Sequence, residues 1–85
     1  MIKQFEYAYQ VKLLDEGFTE EGYESDTFYE ALKKTEELIE KYLARSKEKH
    51  KTFELYLSKV CLCTGSWRYK IIKHYEIQDG RYWQE

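Results

Sequence analysis

Between Phe28 and Tyr42 the apolar positions return at steps of three and four. Phe28, Ala31, Leu32, Thr35, Leu38, Ile39 and Tyr42 share one stripe, and Glu30, Lys33, Lys34, Glu36, Glu37, Glu40 and Lys41 fill the other side. That period predicts an amphipathic helix over Thr27–Arg45. Thr27 followed by Glu30 is a capping box, in which hydroxyl and carboxylate each satisfy a free amide of the first turn. A single apolar stripe cannot bury itself, so a sheet must lie against it.

The flanking segments alternate with a period of two instead. Before the helix, Phe5, Tyr7, Tyr9, Val11 and Leu13 fall on one face of a strand covering Met1 to Leu14, with its polar residues on the other. Asp15-Glu16-Gly17 is a turn. Phe18 to Tyr23 reads either as a short return strand or as an acidic loop, since Gly22 and two glutamates weaken the pattern. After the helix, Ser46 to Lys51 is a charged connection, and Thr52 to Cys63 is a strand with apolar groups on both faces.

Thr64-Gly65-Ser66 suits a three-residue hairpin loop. That length pairs Cys63 with Trp67, Cys61 with Tyr69, Leu55 with Tyr75 and Phe53 with Ile77. Lys59 and Lys73 interrupt this inner face, either by snorkelling past the helix edge or by marking a bulge. Asp79-Gly80 folds Arg81 to Gln84 back as a final strand, with Ile77 opposite Tyr82 and Glu76 opposite Trp83. The expected fold is α+β: one domain over 1–85, in the order β-(β)-α-β-β-β. One helix packs across one face of a four- or five-stranded antiparallel sheet, and the other face stays open.

Composition changes this picture in three places. Nine Tyr, four Phe and two Trp in 85 residues let broad rings cover a thin sheet while hydroxyls stay wet. The net charge of −2 argues against a nucleic-acid binder taken as a whole. Charge is divided, however: residues 1–42 hold 5 basic and 11 acidic side chains, and residues 43–85 hold 9 and 5. Glu20, Glu21 and Glu24 therefore form a candidate acidic lobe for a basic partner.

Cys61 and Cys63, two apart on a strand, look badly placed to bridge each other. With no leader-like opening and no apolar run of membrane length, a reduced cytoplasmic protein without membrane attachment is expected. No nucleophile elbow, phosphate loop or metal-protease helix occurs, so neither catalysis, cofactor nor metal is expected.

The open sheet face is the candidate contact surface. In the register above it gathers Tyr56, Val60, Leu62, Arg68, Lys70, Ile72, His74 and Trp83. Aromatic residues and Arg are enriched where proteins bind tightly, so the expected role is a non-enzymatic protein-binding module, with a homodimer through this face as one form. The alternative is a single-stranded nucleic-acid binder, stacking bases on Tyr56 and Trp83 and holding phosphates with Arg68 and Lys70. No family motif is present. In size and charge the chain is similar to small accessory or inhibitor proteins of phages and other mobile elements, a likeness that assigns no residue.

Overall fold

The computed structural model describes residues 5–63 and 66–85, with side chains for 8–61 and 70–85. Strand β1 (Phe5–Asp15) turns into β2 (Phe18–Ser25), the helix α1 (Phe28–Lys49) follows, and β3 (Thr52–Cys63), β4 (Ser66–Gln78) and β5 (Arg81–Gln84) complete the chain. All five strands form one antiparallel sheet in the order β2-β1-β3-β4-β5. The helix lies on one face, as the stripe requires. Residues 18–23 are strand rather than loop.

The core is the meeting of the two apolar patterns. Val11 and Leu13 of β1, Phe53, Leu55 and Leu57 of β3, and Tyr75 and Ile77 of β4 pack under Ala31, Leu38, Ile39 and Tyr42. Edge-on contact of the Tyr42 and Phe53 rings, centroids 4.8 Å apart, closes the middle of this layer. Burying side chains of this size contributes about 1.5–3 kcal/mol each, enough to hold a helix that would be marginal alone.

Thr27 caps the helix as its spacing predicts, its hydroxyl accepting from the Glu30 amide at 3.2 Å. The return half of the box is different. Glu30 accepts from the Ser25 hydroxyl at 3.0 Å, and Ser25 accepts from the Thr27 amide at 3.3 Å. The helix also runs through the segment expected to be a connection, ending at His50 in the left-handed conformation (φ 52°). Ser46 is fully buried there, donating to the Leu43 carbonyl at 2.8 Å and accepting from the Gly80 amide at 2.9 Å. One hydroxyl thus fastens the helix end to the β4–β5 turn.

The two tight turns behave alike. Glu16-Gly17 and Asp79-Gly80 have positive φ at both central residues, the form whose twist suits a two-residue hairpin. Between β3 and β4 the expectation needs correction. Cys63 pairs with Ser66, which leaves two intervening residues rather than three, and Thr64 and Gly65 themselves lie outside the described residues. Phe53 still pairs with Ile77 and Leu55 with Tyr75, but Cys61 pairs with Arg68 and Val60 with Tyr69. The cause is a β-bulge: Leu57 pairs with Lys73 and Ser58 with Ile71, so Ile72 is an extra residue on β4. One unpaired residue reverses the phase of everything beyond it.

Candidate functional site on the helix-free face

Tyr56 and His74 are direct partners on β3 and β4 and form the centre of the open face. Their rings stack with centroids 4.2 Å apart and planes 9° from parallel. The Tyr56 hydroxyl donates to Glu54 at 2.8 Å, and burial followed by this bond raises its pKa to about 12. His74 Nδ1 lies 3.3 Å from a Glu85 carboxylate oxygen, while the Glu85 amide donates to the His74 carbonyl at 2.8 Å. His74 Nε2 is buried without a partner. Next to them Glu76 stands opposite Trp83 on β5, and hydrogen bonding to Glu85, followed by burial, raises its pKa.

Toward β1 this face opens into a cleft of about 320 Å³ lined by Gln10, Lys12, Leu14, Thr19, Tyr56, Ser58 and Ile71. Ile71, at 50% exposure, and Trp83, at 41%, stand out in solvent on either side of the Tyr56–His74 stack. Large apolar groups at such exposure are costly on a face with no covering layer.

The predicted set therefore divides. Tyr56, His74 and Trp83 are together on the open face. Val60 falls in the same phase but is buried, so it supports the sheet rather than presenting a contact. Leu62 pairs with Trp67, and its side chain is outside the described ones. Ile72 is the bulge residue, 37% exposed. Arg68 and Lys70 are corrected: they pair with Cys61 and Lys59, in phase with the helix-side positions of β3, because Ile72 shifts the parity between them and His74. Ile71, Lys12 and Leu14 take their places. Sequence reasoning missed these three, although the lysines on the assumed inner face were the signal that a bulge lay between them.

The acidic lobe is also corrected. Glu21 pairs with Leu13 and turns toward the helix, where it takes bonds from Tyr23 at 2.7 Å and from Lys41 at 3.2 Å. The Tyr42 phenol, then Tyr23 and Lys41, outweigh burial and lower its pKa to about 2. It is an internal anchor. Glu20 is exposed, and Glu24 is the partner of Gln10 on the other phase, so the three carboxylates do not form one docking surface.

Cys61 is disulfide-bonded, which corrects the expectation of two inert thiols. With that, the ground for reading a reducing compartment falls away. Among the described residues no helix is long and apolar enough to cross a membrane, and no three metal-ligating side chains converge. Compared with protein-family models, curated proteins and solved structures, the chain has no match.

Proposed function

We propose that this protein is a non-enzymatic protein-binding module that works through the helix-free sheet face, with a second copy of itself as the partner. The observation that carries this reading is the exposure of Ile71 and Trp83 beside the Tyr56–His74 stack and the cleft. An exposed aliphatic–aromatic surface beside a concave one is what a hot spot needs, because burying both removes water from rigid rings at small entropic cost. Lys12 lies on the same face as Glu54, Glu76 and Glu85, so two copies related by a two-fold axis can set base against acid. His74, held between Tyr56 and Glu85, supports binding more than proton transfer.

A nucleic-acid platform on this same face loses its support once Arg68 and Lys70 change phase. The carboxylates around Trp83 and Tyr56 would repel phosphates.

Light scattering across concentration tests the proposal. We expect dimer mass at high concentration, reverting to monomer in Ile71→Glu and Trp83→Ala with helix and sheet signals intact. Monomer mass at every concentration removes the self-association reading.

A further inference from the structure

Strand β5 is too short to cover β4. It pairs with residues 75–78, and the Glu85 amide reaches one residue further, donating to the His74 carbonyl at 2.8 Å. Over residues 66–73 one side of β4 is held by β3, and among the described residues no strand lies along the other. That leaves about 27 Å of open edge, at about 3.4 Å per residue. Such an edge turns alternate N–H and C=O groups outward, a template for one more strand.

The bulge decides which strand fits. Lys70 and Lys73, three apart, would stand on opposite faces of an uninterrupted strand. With Ile72 as the extra residue they pair with Lys59 and Leu57, two apart on β3, so both fall on the helix side. Lys70 is exposed and Lys73 half-buried, and among the described residues neither forms an ion pair. Ile71, opposite Ser58, falls in the other phase and is 50% exposed. The edge thus offers two cations on one face and an aliphatic side chain on the other.

Like charges across a strand pair repel, so these lysines keep β4 from pairing with the β4 of another copy. The β2 of another copy fits no better. Its helix-side acid, Glu21, is taken by Tyr23 and Lys41, and Glu24 stands in the other phase. An acid opposite each lysine is favourable.

We infer that residues 66–73 of β4 accept an extended peptide segment of another protein as a sixth strand, one that alternates acidic and apolar residues. Its acids face Lys70 and Lys73, and an apolar residue between them lies beside Ile71. Main-chain hydrogen bonds supply the affinity and the alternation supplies the choice. Strand β2, the other uncovered edge, carries Glu20, Glu21 and Glu24 and no base, so it repels the same segment. This inference does not rest on self-association through the helix-free face.

A labelled peptide of about eight residues alternating glutamate and valine, with both ends capped, tests it by fluorescence anisotropy against the full chain in about 50 mM salt. Saturable binding is expected. Lys70→Glu, at an exposed position, should weaken it about fivefold or more, and should make a lysine–valine peptide bind better than it binds the wild type. Lys33→Glu makes the same charge change on the helix and should alter binding less than about twofold. Methylating alternate peptide amides on the pairing side should abolish binding, since strand addition needs those donors. Absence of binding by the unmodified peptide overturns the inference. Equal weakening by Lys33→Glu, or undiminished binding when either set of alternate amides is methylated, also overturns it, because attraction would then be general and not seated on the edge.

Discussion

Glu21 on the edge strand β2 and Tyr42 on the helix are coupled electrostatically: the phenol is the largest influence holding that carboxyl near pKa 2. Burial and this anion together push the Tyr42 phenol far above its usual range. The pair explains why an acid sits in the helix-facing phase of β2. Lys41 at 3.2 Å supplies the countercharge, and Tyr23 a second hydrogen bond.

Acid titration should expose this anchor. Its folded pKa lies below the ordinary value of 4.5, so its stabilisation is complete above that pH and is lost as pH falls toward about 2. Glu21→Gln should cost about 1 kcal/mol at neutral pH in urea unfolding. The gap between variant and wild type should close between pH 4.5 and 2; a gap constant across that window would show that the carboxylate charge is irrelevant.

Alkaline titration should single out Tyr56. Its pKa of about 12 stands above the ordinary 10, so ionisation favours the unfolded chain and stability drops as pH rises between those values. Tyr56→Phe should remove one late-ionising phenol from the ultraviolet titration. The loss of an early-ionising one instead would contradict the Glu54 bond and the burial that raise it.

Ser46→Ala should destabilise the fold by about 1–3 kcal/mol, because the Gly80 amide loses its acceptor in a partly buried place. A second variant separates the turn from the hydroxyl. Gly80→Ala strains a residue at φ +77°, and its added carbon comes within 3.4 Å of Lys47. Urea midpoints for both, and for the double variant, should show coupling between the two sites.

Thr27→Ala should cost about 1 kcal/mol of stability through loss of the cap to Glu30. Ser25→Ala should cost a comparable amount, because Ser25 bonds both Thr27 and Glu30. Chemical denaturation of the two single variants checks this. No effect of Ser25→Ala would mean that water replaces it without penalty.

The helix, the strand over Thr52–Cys63 and the identity of the covered face were legible because periodicity is a property of many residues at once. Leu55, Tyr75, Phe53 and Ile77 all lie where alternation places them. Hairpin length was not legible, because one insertion leaves the pattern intact on both sides and alters only their relation. Lys59 and Lys73 carried the hint, and only the pairing of Leu57 and Ser58 locates the shift. Ser46 and Glu21 were misread for another reason: polar residues look alike in a sequence whether water or a buried amide satisfies them. Within the candidate face, Tyr56, His74 and Trp83 lie on the near side of the insertion and kept their places, while Arg68 and Lys70 lie beyond it and did not.

Ile72 consequently acts as a parity bit for the whole far end of the ribbon. Excising that one amino acid would let β3 and β4 zip without interruption. Every pair beyond it, Lys59 with Lys70 and Cys61 with Arg68 included, would be kept, and so would the side of the sheet on which each stands. A single in-frame codon loss should therefore take the local bend and extra twist out of this ribbon and leave the side of each of its charges unchanged.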